Sequence, residues 1–95
     1  MARPDHLFVF AYDMEKDSAR VKLARLLEGD LDRVQKSVFE GRLSLEAARR
    51  LAALSARLLG PDDSLRVYCI TEAGRKVSIV HGRALMPEPG GFWLL

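Results

Sequence analysis

Ninety-five residues can enclose one hydrophobic core and not two, so the chain reads as a single domain. Hydrophobic residues make up 48% and charged residues 29%, the balance of a globular protein rather than a disordered chain, and no apolar run approaches the roughly 20 residues of a membrane span. Fifteen Lys and Arg against 13 Asp and Glu leave a net charge of +2, so a nucleic-acid reading depends on where the charges sit and not on their sum.

The first residues, Met1 to His6, lead straight into a short apolar run without the long apolar stretch and small-residue cleavage site of a secretory signal, and a cytoplasmic protein is expected. One cysteine, Cys69, excludes an internal disulfide and a multi-cysteine metal site. Its position between Tyr68 and Ile70 predicts a buried thiol.

Leu7 to Tyr12 is an unbroken apolar run of strand length that stops at Asp13. Alternation sets Leu7, Val9 and Ala11 on one face and Phe8, Phe10 and Tyr12 on the other, so both sides of the sheet need a cover. After the polar connection at Met14 to Asp17, with Asp17 or Ser18 as N-cap, a helix is predicted to run to about Glu28 and to stop at Gly29. Ala19, Leu23, Ala24, Leu26 and Leu27 share one broad face of it, opposed by Ser18, Lys22 and Arg25. Arg20 falls inside the apolar arc, but in the first turn, where its head can reach the end of the first strand.

Arg33 to Leu43 has strand character, either as two short strands joined by a tight bend or as one long bent strand. Ser44 caps a second helix, about Leu45 to Leu59, with Leu45, Ala48, Leu51, Ala52, Leu58 and Leu59 on its apolar half and Glu46, Arg49, Arg50 and Arg57 on a solvated half. Gly60-Pro61 ends it. Ser64 to Ile70 is a strand, Thr71 to Arg75 a loop, and about 76 to 81 a further strand. Residues 82 to 95 form a tail with Pro87, Pro89 and Gly90-Gly91 that ends in Phe92-Trp93-Leu94-Leu95.

The order β-α-β-β-α-β is the split pattern of a ferredoxin-like α+β domain, here residues 1–81 with an extra C-terminal strand. Two helices cover one sheet face. Because the first strand is apolar on both sides, the bare face is expected to meet a second copy, making a homodimer.

Asp13 follows directly on a buried strand, which holds its carboxylate rigidly. That suits a hard divalent ion such as Mg²⁺, which takes one or two carboxylates and completes its shell with water and substrate phosphate. An Asp after a strand also starts a turn or caps the next helix, and both readings stand on spacing alone. Tyr12, Arg20, Lys22, Arg33 and Phe39 are candidates to surround a phosphate backbone near it, with Arg20 able to pair with Asp13 or with phosphate. Solvated charge for Lys22 and Arg33, and packing for Tyr12 and Phe39, are the alternatives. His6 and His81 have no ligand or nucleophile spacing, and the chain lacks a Gly-rich phosphate loop, a zinc pattern and a nucleophile elbow.

The strand ending in Tyr12-Asp13, the Arg20-x-Lys22 pair and the run Arg33-Val34-Gln35-Lys36-Ser37-Val38-Phe39-Glu40-Gly41 closely resemble the CRISPR-associated protein 2 family, the small adaptation subunit and endonuclease. The resemblance extends through Leu65-Arg66-Val67-Tyr68 and Arg75-Lys76-Val77 to the Pro-bearing tail. It implies a homodimer that sits between integrase dimers while foreign DNA is captured into the CRISPR array. It also implies a metal-dependent nuclease acting on DNA or RNA, in which Asp13 and its symmetry mate bind Mg²⁺. Tyr12, Arg20, Lys22, Arg33 and Phe39 match family positions linked to activity. Lys22 stands where an arginine often occurs, which keeps the charge and loses bidentate phosphate geometry. By the same resemblance the last strand adds to the partner protomer's sheet and the tail docks on the integrase. A non-catalytic scaffold bridging integrase dimers and a VapD-like toxin ribonuclease of the same fold are the alternative functions.

Overall fold

The apolar run after His6 forms the central strand of a four-stranded antiparallel sheet in a computed structural model that describes residues 5–82. The elements follow as β1 (His6–Asp13), α1 (Asp17–Glu28), β2 (Asp32–Gln35), β3 (Val38–Leu43), α2 (Leu45–Ala56), β4 (Ser64–Ile70) and α3 (Glu72–Val77). Strand order is β2-β3-β1-β4, with β1 between β3 and β4, which is the ferredoxin-like arrangement. No helix among the described residues is long and apolar enough to cross a membrane.

Alternation along β1 sorts the sheet into two faces. Phe8, Phe10, Tyr12 and, beyond the strand, Met14 join Phe39 of β3 in one buried cluster with Leu23, Ala24 and Leu27 of α1 and Ala48 and Leu51 of α2. Leu7, Val9, Ala11 and Asp13 alternate to the other face, level with Arg42, Glu40 and Val38 on β3 and with Ile70, Tyr68, Arg66 and Ser64 on β4. That face is mixed rather than uniformly apolar.

Local chemistry explains most boundaries. Lys16, not Asp17 or Ser18, takes the N-cap position of α1, with no side-chain cap; Asp17 is the first helical residue, where its charge favours the helix N-terminus and it pairs with Arg20. Ser44 Oγ accepts a hydrogen bond from Ala47 N at 3.1 Å, the expected cap of α2. α2 ends at Ala56 instead of Leu59, because Arg57, Leu58 and Leu59 bond back to carbonyls three residues earlier and tighten the last turn. Leu45, placed on the apolar half, is exposed, whereas Ser55 is buried and donates to the Leu51 carbonyl at 2.7 Å.

The segment 33 to 43 resolves into two strands joined at Lys36-Ser37, with an irregularity in β2 between Arg33 and Gln35. Such a bulge bends the strand and re-aims its side chains.

Two expectations are corrected. The loop at Thr71 to Arg75 and the strand from about 76 give way to α3: Thr71 Oγ1 caps it by accepting from Gly74 N, and Glu72 pairs with Arg75 one turn on. Residues 78 to 81 pair with no strand among the described residues. Cys69, expected to be buried, is exposed because β4 is the edge of the sheet and Val67, Tyr68 and Cys69 all stay open. The tail from residue 83 lies outside the described residues.

Candidate nucleic-acid interface

Tyr12, Phe39, Arg33 and Arg20 come together between α1 and the β2–β3 hairpin. Tyr12 and Phe39 stack with ring centroids 6.3 Å apart and planes 21° from parallel, both in the core. The Arg33 guanidinium lies 5.4 Å from the Phe39 centroid, within cation–π range. Its Nη2 donates to the Lys36 carbonyl at 2.6 Å, and its Nη1 stands 3.8 Å from Glu28. Arg33 is thereby fixed from three sides. Burial pushes the Tyr12 hydroxyl pKa up, and the positive charges of Arg33 and Arg20 offset part of that rise.

Arg20 reaches the end of the first strand as the sequence suggests, but not to Asp13: its Nη1 donates to the Met14 carbonyl at 3.3 Å and its Nη2 pairs with Asp17. A cleft of about 530 Å³ opens beside these groups, with Tyr12, Arg20, Arg33, Lys36 and Arg25 in its wall. Lys22 is exposed on α1 and is not part of the cleft.

Asp13 is separate. Its neighbour Tyr12 turns into the helix-covered core, so by strand alternation the Asp13 carboxylate belongs to the opposite face, level with Ser64 of β4. It is exposed and makes no hydrogen bond or ion pair among the described residues. A free carboxylate at a strand end fits a Mg²⁺ ion as a single ligand, and no group of three metal-ligating side chains gathers among the described residues.

Three residues were not legible as contributors in the sequence. Lys36 and Ser37 lie in the segment read as two short strands with a tight bend or as one long bent strand, and they form the bend, which lines the cleft. Asp63, after Gly60-Pro61, accepts from Glu15 N at 3.0 Å and from Gly60 N at 2.7 Å, tying the loop after Asp13 to the loop before β4. These two bonds hold its carboxyl below the usual aspartate range. The Asp-rich turn after a helix stop was the available signal.

The family model for CRISPR associated protein Cas2 matches residues 6–77, from the start of β1 to the end of α3. The chain belongs to that family. A Cas2 relative from Synechocystis sp., called a CRISPR-associated endoribonuclease, is 44% identical over 86 residues, covering 90% of this chain and 94% of its own. Another endoribonuclease Cas2, from Chloroflexus aurantiacus, is 37% identical over 83 residues, 85% of this chain and 89% of the relative. Among solved structures, a chain of a partial Cas6-RT-Cas1–Cas2 complex superposes with a TM-score of 0.68 at 27% identity, covering 79% of this chain and 89% of that one. The Cas2 match spans every residue of the cleft and Asp13.

Proposed function

We propose that this Cas2-family chain is a cytoplasmic CRISPR adaptation subunit that works as a homodimer on nucleic acid and hydrolyses phosphodiester bonds through Asp13 of both protomers with Mg²⁺. The observation that carries the reading is Asp13: an exposed, unpartnered carboxylate at the end of the central strand, within the span matched by the family. Relatives that cover most of this chain carry the name endoribonuclease, which supports a nuclease of some kind. When bound, Mg²⁺ would neutralise charge on the phosphodiester and lower the pKa of a bound water. Asp13 would hold the ion, and its strand fixes the direction from which the carboxylate approaches. Arg20 and Arg33 would bind phosphate oxygens.

The homodimer is supported by Val77, Ile79 and Val80, which stand exposed in the segment that follows the edge strand β4 in the chain. An extended backbone at Ser78 suits them to strand addition on a second copy. Likeness to a chain of a Cas1–Cas2 complex supports an integrase partner, with the apolar tail, residues 88–95, as its docking segment. A scaffold that cuts nothing is the second reading, favoured by the separation of Asp13 from the basic cleft on opposite sheet faces.

Incubation of the pure protein with single- and double-stranded RNA and DNA, with and without Mg²⁺, beside Asp13→Asn, tests the reading. Metal-dependent cutting that Asp13→Asn lowers by about 100-fold or more is expected, the scale of losing a main catalytic group. Equal cutting by both proteins removes Asp13 from the chemistry. Absence of cutting, with an integrase complex that is lost on deletion of residues 88–95, establishes the scaffold.

A further inference from the structure

We infer that the cleft between α1 and the β2–β3 turn is a seat for the sugar-phosphate backbone of a polynucleotide, and that Arg25 and Lys36 supply its binding charge. This rests on the reading that the chain acts on nucleic acid and assigns the part of the surface that holds it. Four cationic side chains, Arg20, Arg25, Arg33 and Lys36, line the cleft against two carboxylates, Asp17 and Glu28. Both carboxylates are engaged, Asp17 by Arg20 and Glu28 by Arg33 at 3.8 Å. Arg25 and Lys36 are left without an ion pair among the described residues, and both are exposed. The surplus in the cleft is therefore two positive charges carried by side chains that are free to bind.

An anion with acceptor oxygens and no donors matches that surplus. Ser37 and Tyr12, two residues that carry neutral hydroxyl groups, belong to the same wall. The volume, about 530 Å³, lies within the range of small-ligand sites and exceeds what a lone phosphate needs, so the sugar on either side of the phosphate is also accommodated. Preorganisation comes from Arg33, whose bond to the Lys36 carbonyl fixes the turn that presents Lys36, and whose stacking on Phe39 anchors that turn to the core. A second strap is the hydrogen bond from Tyr12 N to the Ser37 carbonyl at 3.0 Å. The cleft opens on the helix-covered side of the sheet, away from Asp13, so within one protomer it grips the chain at a distance from the carboxylate and does not present the bond to be cut.

The test is fluorescence anisotropy with labelled RNA, single-stranded DNA and duplex DNA of about 20 nucleotides or base pairs, titrated over a range of NaCl. The variants are the double substitution Arg25→Ala with Lys36→Ala and, as a charge-matched control on the exposed side of α2, the double substitution Arg49→Ala with Arg50→Ala. Both cleft side chains are exposed, and an unchanged circular dichroism melt verifies folding. We expect the cleft double variant to lose about tenfold or more in affinity at low salt, and the slope of log affinity against log salt on single strands to flatten by about 1.4, or about 0.7 per lost phosphate contact. The RNA and DNA arms show which backbone is preferred. A cleft double variant that binds like wild type, or that loses no more than the Arg49→Ala, Arg50→Ala control, overturns the assignment while nucleic-acid binding itself stands. A wild-type protein that binds none of the probes overturns both.

Discussion

At the scale of single residues, the paired aromatic rings of Tyr12 and Phe39 show how one side chain serves the core and the site at once. Phe39 is fully buried and carries Arg33 on its face, while Tyr12 belongs both to the core and to the cleft wall. Glu40, on the opposite sheet face, is in a less favourable setting. Burial, with the neighbouring Asp32 charge adding to it, raises its carboxyl pKa. The folded chain then holds this proton to higher pH than the unfolded chain does, so stability falls as pH climbs from the ordinary glutamate value of 4.5 through the raised folded value, and stays lower above it. Glu40→Gln is accordingly expected to raise the urea midpoint at neutral pH and to give no such gain below 4.5, which denaturation curves at the two pH values check.

At the scale of elements, the caps and the helix–sheet contacts carry different weights. Removing the Ser44 hydroxyl by Ser44→Ala leaves the Ala47 N–H without its cap and is expected to cost about 1 kcal/mol. Phe39→Ala takes a fully buried ring from the contact of the sheet with its helices and is expected to cost about 3 to 5 kcal/mol. In a domain of this size total stability lies near the low end of about 5 to 15 kcal/mol, so the first variant should melt a few degrees lower and the second should be largely unfolded. Calorimetry of the two distinguishes them. The β2 bulge belongs to this scale as well: by bending the hairpin it brings Lys36 and Ser37 beside α1, where a regular pair of strands would have kept alternating.

At the scale of the whole molecule, the sheet has one covered face, one mixed face and an open edge at β4. Val77 and Ile79 are 78% and 79% exposed just beyond that edge strand, an arrangement that costs free energy unless a neighbour covers it. If the proposed dimer forms by strand addition, Ile79→Pro removes a ladder N–H and an apolar contact together. Sedimentation equilibrium should then show a dimer for wild type and a monomer for the variant. An unchanged dimer would assign the interface to the bare sheet face alone.

Much of the architecture was already present in residue order. The two-faced apolar run at Leu7 to Tyr12 and the Ser44 cap determine where β1 lies and where α2 starts, because periodicity and capping are local properties. The run Arg33 to Gly41 carried the family. Which candidates meet was decided only by the tertiary structure. Tyr12 and Asp13 are adjacent in sequence and face opposite sides of the sheet, whereas Arg20, Arg33 and Lys36 converge on one cleft from separate elements. Exposure of Cys69 was hidden for the same reason: burial depends on what lies alongside, and the sequence of one chain does not state its neighbours.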